Sequence, residues 1–282
     1  MAEPKPATKI IVATPDPPPT GIPNPIHAED GAAGAGYQGA LVAGVRTYGW
    51  AVEATLEAFG LEWLDSGWAD ITLRRPLFEG ETVTVTVRPV KPADQSTGEP
   101  TASVAAAVGD RIVLDGTVGL GPADWLDELD PPPPGPAEDP PPSRPTYTID
   151  DVPLDQPLRS LGAFLTPAAA RTLATDDLGQ TESNVPPDRI HPWFLAARMS
   201  PLTRHNFTYG PTIHFRTQIQ HRGVASVNQP IVIGAKIVDA YDRKGHWYQV
   251  LDGTVAGWAT GGPTELAHLR HHTIFRPRPA QP

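Results

Sequence analysis

One histidine stands in a short polar run near the start of the chain, Asn24-Pro25-Ile26-His27, and is the first residue that could do chemistry. Histidine titrates near neutral pH, so its side chain can take up or release a proton during a reaction. Two carboxylates, Glu29 and Asp30, follow closely and could supply an acidic partner. A structural role is the alternative, because Asn is a favoured helix N-cap, Asn-Pro begins turns, and acidic residues stabilise a helix N-terminus.

A long amphipathic helix is predicted directly after this run. Apolar residues recur at spacings of three and four from Gly39 to Phe59, and Gly60 is well placed as the C-cap. Four strand-like segments follow, and the second of them alternates strictly between apolar and polar residues. These segments are 69–75, 82–87, 101–108 and 111–120.

The same order of elements recurs in the second half. A helical stretch from Pro192 to Leu202, which Pro201 is expected to end or kink, precedes four further strands, and Asp242-Arg243-Lys244-Gly245 predicts a hairpin turn between two of them. A helix followed by antiparallel strands, seen twice, predicts two α+β units whose sheets pair edge to edge. The predicted strands are 212–220, 230–241, 246–258 and 266–275.

Prolines divide the chain between these two units. The runs at 131–136 and 140–142 consist almost entirely of proline, so this segment is extended and is typical of a linker. We therefore predict a first unit at residues 1–125, which carries the active site, a proline-rich linker at 126–147 and a second unit at 148–282.

The charge and the amino acid usage disfavour several classes of function. A net charge of -10 over 282 residues disfavours nucleic acid partners, which are bound by clustered Lys and Arg. The absence of cysteine excludes disulfides, thiolate zinc sites and a cysteine nucleophile, and it fits a reducing compartment, so we expect the cytoplasm. Neither a signal peptide nor a membrane-spanning run is recognisable, and no membrane association is expected.

No metal site and no cofactor are predicted. His271 and His272 are adjacent in an alternating strand, so their side chains should point to opposite faces of the sheet. The remaining histidines are scattered over separate segments.

Three segments together resemble the MaoC-like (R)-specific enoyl-CoA hydratase and 3-hydroxyacyl-thioester dehydratase family: Asn24 to Asp30, the glycine-rich stretch Gly39 to Gly44, and the turn Phe78 to Thr82. The second half, which ends in His271-His272-Thr273-Ile274-Phe275-Arg276, resembles the partner unit of fused dehydratases of this kind. The resemblance covers most of the chain outside the N-terminal segment that precedes the histidine run and outside the proline-rich linker. It implies a tandem (double) hot-dog fold of the α+β class, in which antiparallel sheets each wrap around a central helix.

The resemblance also implies roles for residues of the first unit. His27 would be the catalytic acid and base, and the backbone N–H of Gly44 would bind the thioester oxygen, which gains negative charge in the reaction. The family places an aspartate five residues before the histidine, where this chain has Ile22. Glu29, or Asp30 beside it, is the predicted replacement. Residues expected to contact substrate are Asn24, Tyr37 and Ala43.

These roles predict reversible addition of water to an enoyl-CoA or a similar acyl thioester, with the acyl chain in a tunnel between the halves. The second unit, which has Thr166-Pro167-Ala168-Ala169-Ala170 in place of the histidine run, is expected to be non-catalytic. A thioesterase on the same fold is one alternative. Another is a catalytically inert acyl-CoA-binding or assembly protein, for which Ile22 is the main argument.

The predicted partner is acyl-CoA or an acyl-carrier thioester. A basic patch that could dock a carrier lies near the C-terminus, although a solvated tail would explain it equally well. The molecule is expected to be a monomer of a fused pair or a homodimer. The patch consists of Arg270, Arg276 and Arg278.

Overall fold

A computed structural model describes residues 3–17, 23–90, 99–208 and 210–278 of the chain. Its first half contains β1 (Ala7–Val12), α1 (Glu29–Gly34), α2 (Gly44–Phe59), α3 (Trp63–Ser66), β2 (Trp68–Leu73), β3 (Thr82–Pro89), β4 (Thr101–Val108) and β5 (Arg111–Gly119). Its second half contains β6 (Leu161–Phe164), α4 (Pro167–Ala174), α5 (Pro192–Ala196), α6 (Met199–Asn206), β7 (Ile213–His221), β8 (Pro230–Arg243), β9 (His246–Ala259) and β10 (Gly262–Arg276).

The strands form one sheet that runs through both halves. Their order is β1-β3-β4-β5-β2-β7-β10-β9-β8-β6, and neighbouring strands are antiparallel. The two halves join where β2 pairs with β7, with Trp68 opposite Gln220 and Thr72 opposite Arg216. This is the predicted edge-to-edge pairing, and it removes one exposed edge from each half.

Helix α2 is the central helix of the first half. Most of its residues are buried, and it packs against β1, β3 and α5. Gly60 ends it with a φ of 82°, as the sequence predicted for the C-cap. Trp50, on this helix, donates its indole N–H to the carbonyl of Leu178 at 2.8 Å, which places the core of the first half directly against the second.

The helix begins at Gly44, whereas the apolar pattern predicted a start at Gly39. The intervening residues have the right apolar spacing, but their backbone groups bind elsewhere: the N–H of Leu41, for example, donates to the carbonyl of Ile26 at 3.2 Å. Periodicity alone therefore predicted a helix that is too long at its N-terminus, because apolar spacing does not show which acceptor a backbone N–H binds.

In the second half the corresponding helix is divided into two short helices, α5 and α6. Pro201 was predicted to end or kink this helix. The helix is interrupted at residues 197–198, just before Pro201, which stands in the first turn of α6. A proline is accommodated in the first turn of a helix because the N–H groups there have no acceptor within the helix, so the N–H that proline lacks breaks no helical hydrogen bond. Among the described residues, no helix has the length and apolarity needed to cross a membrane.

The hairpin between β8 and β9 is confirmed. Lys244 and Gly245 have φ angles of 56° and 78°, and Arg243 pairs with His246. Two consecutive positive φ angles are typical of the tight turns that match the twist of antiparallel strands.

The proline-rich segment lies along the second half of the sheet. The hydroxyl of Thr254 donates to the carbonyl of Pro132 at 3.1 Å, and the N–H of Glu138 donates to the carbonyl of Ser160 at 3.0 Å. The predicted boundaries at residues 125 and 148 stay a prediction, because a single cluster of buried apolar residues includes members of both halves.

Candidate active site

A cavity of about 720 Å³ lies between the two halves of the molecule, next to the start of α2. His27, Gly44 and Leu73 line it from the first half. Arg198 and Thr212 line it from the second. Its place between the halves is where the sequence analysis put the acyl tunnel, and its size suits a small organic ligand.

His27 is held in one tautomer by its surroundings. It ends a single 3-10 turn, Pro25–His27, and its Nδ1 lies 2.7 Å from the carbonyl oxygen of Leu41. A carbonyl oxygen can only accept a hydrogen bond, so the proton resides on Nδ1. Nε2 then keeps the lone pair that a general base needs, and Nδ2 of Asn24 lies 3.4 Å from it. The side chain is 28% exposed, so a ligand in the cavity can reach it.

Asp16, in the head of the chain, supplies a carboxylate beside this histidine. Its Oδ2 lies 3.1 Å from Nδ1 of His27, and its two oxygens accept from the backbone N–H of Ala43 at 3.0 and 3.1 Å. Asp16 was not predicted from the sequence, because it lies between prolines and at no spacing that the family motif marks. Ile22, the position that the motif does mark, lies outside the described residues.

Arg46 fixes Asp16 in place. This arginine is buried in α2, and its Nη1 donates to the carbonyl of Thr14 at 2.6 Å and to Oδ1 of Asp16 at 3.0 Å. Its Nε donates to the carbonyl of Asp177 in the second half at 2.5 Å. A cation on the buried side of an apolar helix was the one sequence signal that could have revealed the site, since such a group is buried only with partners.

Asn24 connects the histidine turn to the second half. Its Nδ2 donates to the carbonyl of Thr212 at 2.8 Å, and its Oδ1 accepts from the N–H of the same residue at 3.1 Å. Oδ1 also lies 3.5 Å from the N–H of Ile26, which is the predicted capping contact. The amide is therefore occupied by protein groups, and its geometry suits positioning of the turn more than contact with substrate.

Glu29 does not face the cavity. It is exposed in the first turn of α1, and its Oε1 accepts from the N–H of Ala40 at 3.3 Å. Asp30 is its exposed neighbour in the same turn. Their placement matches the structural alternative, in which acidic residues stabilise the start of a helix.

Tyr37 does line the cavity, as expected of a residue that contacts substrate. Burial raises the pKa of its hydroxyl, and the nearby Tyr248 of the second half adds to the shift. The hydroxyl therefore stays protonated near neutral pH and can donate a hydrogen bond to a ligand.

Gly44 and Ala43 stand side by side at the start of α2, and both line the cavity. The N–H of Ala43 is bound to Asp16, whereas that of Gly44 has no acceptor within the described ranges. Such a free amide at a helix N-terminus is a ready donor to a developing negative charge. Gly44 also serves packing, since an added Cβ would come within 2.1 Å of a methyl group of Leu73.

The stretch of the second half that corresponds to the histidine run begins helix α4, with Thr166 as its N-cap. A different histidine, His191, contacts the first half: its Nε2 lies 3.3 Å from Oε1 of Glu53, and its Nδ1 accepts from the N–H of Trp193. Burial lowers the pKa of His191, so the imidazole is neutral and donates to the carboxylate. This buried contact holds the halves together.

In the predicted basic patch near the C-terminus, Arg270 is paired with a carboxylate, whereas Arg276 and Arg278 are exposed. Arg270 binds both carboxylate oxygens of Asp252, and Arg276 lies over the ring of Trp247. The cavity also has cations of its own, with Arg74, Arg75 and Arg144 exposed along its lining.

His271 and His272 contact different rings, those of His214 and Phe215, in agreement with their predicted placement on opposite faces of the sheet.

No protein family model matches the sequence, and no curated protein sequence matches it either. Solved structures are nevertheless similar over the whole chain. A MaoC domain protein assigned as a dehydratase, from Chloroflexus aurantiacus, is 12% identical, with a TM-score of 0.59 over 99% of this chain and 97% of its own. A Mycobacterium tuberculosis protein described as having a double hotdog fold is 13% identical, with a TM-score of 0.58 over 97% and 96%.

These similarities establish that the chain has a double hot-dog fold, and they confirm the predicted resemblance to MaoC-like dehydratases at the level of structure. A protein assigned as a thioesterase, from Novosphingobium aromaticivorans, is also similar, with 16% identity and a TM-score of 0.52 over 96% of each chain. One fold thus accommodates both activities, and the choice between them must come from the site.

Proposed function

We propose that this protein is an acyl-thioester hydratase/dehydratase, which adds water reversibly to an enoyl-CoA or a similar thioester. The observation that carries the proposal is the hydrogen bond from Nδ1 of His27 to Leu41, with Asp16 at 3.1 Å from the same nitrogen. Together these contacts keep the proton on Nδ1, so that Nε2 can act as the base, and they place a carboxylate beside the ring that takes up the proton.

In the hydration direction, Nε2 of His27 takes a proton from a water molecule while the water oxygen bonds to the β-carbon of the enoyl thioester. The negative charge that develops moves to the thioester oxygen, to which the N–H of Gly44 donates. The imidazolium then returns the proton to the α-carbon. Dehydration follows the same path in reverse, and no external cofactor is needed for either direction.

Asp16 and Asn24 act as positioning residues in this mechanism. Asp16 orients the ring of His27 and stabilises its charged form, and it takes the part that the sequence analysis assigned to Glu29. Asn24 holds the histidine turn against Thr212 of the second unit, which would then support the site without supplying the reacting group.

The test uses crotonyl-CoA and 3-hydroxybutyryl-CoA, with enoyl absorbance and free thiol followed together. We expect loss or gain of enoyl absorbance without release of thiol. His27→Ala should abolish turnover, and Asp16→Asn should lower kcat by about 100-fold or more, because the amide cannot stabilise the imidazolium.

Glu29→Gln is the matched control, since it makes the same chemical change in a carboxylate that does not face the cavity. Its rate should equal that of the wild type. Release of thiol in place of hydration would identify a thioesterase. A wild-type rate in His27→Ala would exclude this site altogether.

A further inference from the structure

Arg198 is a cation of the cavity that the proposed mechanism does not use. It occupies the division between α5 and α6 and lines the cavity from the second half, whereas His27 lines it from the first. The side chain is only partly exposed, in contrast to Arg74, Arg75 and Arg144 of the same cavity.

The guanidinium of Arg198 has a fixed orientation. Its Nε donates to the carbonyl of Phe194 at 3.1 Å, and its central carbon lies 3.9 Å from the centre of the Phe194 ring. Stacking on an aromatic face is a favoured arrangement for a guanidinium, and it restricts the side chain to one plane.

No carboxylate forms an ion pair with Arg198 in the part of the chain that the structure describes. Three other buried or partly buried arginines each have one: Arg46 pairs with Asp16, Arg216 with Asp70 and Arg270 with Asp252. A partly buried cation without a counter-charge is costly, and such groups are commonly compensated by a ligand. Burial lowers the pKa of Arg198 to about 10, so the group is still charged near neutral pH.

The chemistry of the site favours a carboxylate over a phosphate. Since Nε is occupied, the guanidinium has its two terminal nitrogens left, and a pair of N–H donors in one plane matches the two oxygens of a carboxylate. Phosphate groups of a carrier carry more charge, and the exposed arginines Arg74, Arg75 and Arg144 suit them better. The partly buried guanidinium of Arg198 therefore fits one negative charge on the acyl part of the ligand.

We propose that Arg198 binds a carboxylate on the acyl chain, so that the preferred substrates are thioesters of dicarboxylic acids. This inference rests on the proposed function and makes it more specific. Arg198 would determine which acyl chain is accepted, whereas His27 would carry out the reaction on any chain that is bound.

The experiment compares two enoyl-CoA esters of equal chain length, one ending in a methyl group and the other in a carboxylate. We expect the wild type to favour the carboxylate ester in kcat/KM by about tenfold or more, the size of a charge-assisted hydrogen bond. Arg198→Met should remove that preference, because it should lower kcat/KM for the carboxylate ester about tenfold more than for the methyl ester. Arg198→Lys should keep part of it, since a point charge replaces the planar fork.

Two controls separate the acyl chain from the carrier. Arg88→Met removes an exposed arginine that does not line the cavity, and it should change neither ester. The same pair of acyl groups is then measured as N-acetylcysteamine thioesters, which contain no phosphate, and the preference should persist there. Arg198→Met could instead lower kcat/KM equally for both CoA esters and change it for neither N-acetylcysteamine ester. That result would assign Arg198 to carrier phosphate and overturn the proposal.

Binding is measured as well, so that this inference and the proposed function can fail separately. Calorimetry with succinyl-CoA and butyryl-CoA requires no turnover, and the wild type should bind succinyl-CoA about tenfold more tightly or better. If hydration is never observed but this preference is, and Arg198→Met removes it, the substrate class stands and the reaction is wrong. Equal binding of the two thioesters overturns the inference whatever the reaction is. If Arg198→Met does not fold, Arg198→Lys takes its place, and a preference for succinyl-CoA that is unchanged in that variant overturns the inference.

Discussion

At the level of single residues, the candidate site depends on a carboxylate far from the motif that led to it. Asp16 reaches His27 because Arg46 and the start of α2 fix the segment that carries it. A carboxylate thus lies beside His27, as in the family motif, but it comes from a different part of the chain. A missing motif residue does not by itself predict a missing function when the fold can bring an equivalent group to the same place.

Arg46→Met tests how strongly this arrangement is held. The substitution removes the counter-charge of Asp16 and the donor to the carbonyls of Thr14 and Asp177, so the free energy of unfolding should fall by about 3 kcal/mol. Urea unfolding measures the loss. Arg74→Met is the control, because its ion pair with Asp115 is exposed and should contribute less than about 1 kcal/mol. Equal losses in the two variants would contradict a special role for Arg46.

At the level of elements, the contact between α2 and the second half needs a residue without a side chain. An added Cβ at Gly49 would come within 2.7 Å of a methyl carbon of Leu178 and within 3.2 Å of the ring of Trp193. Glycine is unfavourable inside a helix, so its presence here is explained by the close approach of the neighbouring side chains. The divided helix of the second half contributes to the same contact through α5.

Gly49→Leu should therefore lower the free energy of unfolding by about 2 kcal/mol through overpacking, although leucine is the better helix former. Gly34→Ala in α1 is the matched control, because a Cβ there meets nothing within 4 Å. That variant should be as stable as the wild type or slightly more so. Thermal unfolding of both variants decides the matter, and a Gly49→Leu protein as stable as the wild type would show that the contact is looser than described.

At the level of the whole molecule, several buried or partly buried histidines are neutral. Burial is the largest cause in each case, and it lowers the pKa values of His214, His221 and His272 to about 4. An unfolded histidine titrates near 6.5, so between pH 6.5 and 4 the unfolded chain binds protons that the folded chain does not. Stability should therefore fall as the pH drops through this window.

For His221, which is 2% exposed, the loss should reach about 2 kcal/mol at pH 5 relative to neutral pH. Urea unfolding at a series of pH values measures it. His221→Gln removes one of these groups. The slope of the free energy of unfolding against pH should therefore decrease by up to the contribution of one bound proton. Comparison of the variant with the wild type at pH 7.5 isolates the packing cost of the substitution, and an unchanged slope would contradict neutral burial of His221.

The sequence determined the tandem architecture, because the repeated order of helix and strands depends on local apolar periodicity. Segments 101–108 and 111–120 coincide with β4 and β5 almost to the residue, and the turn at Lys244-Gly245 follows from its residue types. Short elements such as β1 and β6 were missed. Each lies at an edge of the sheet and pairs with one neighbouring strand only, so the neighbour and not a local pattern specifies it.

For the site, sequence and tertiary structure contributed different parts. The run Asn24-Pro25-Ile26-His27 marked the histidine, since the motif is contiguous and its residue types have few other uses. Only the tertiary structure could bring Asp16 to His27 and Arg198 into the same cavity, because these groups come from distant segments and from both halves. Contacts across such distances along the chain leave no periodic trace in a sequence, whereas the packing of α2 against the second half creates them directly.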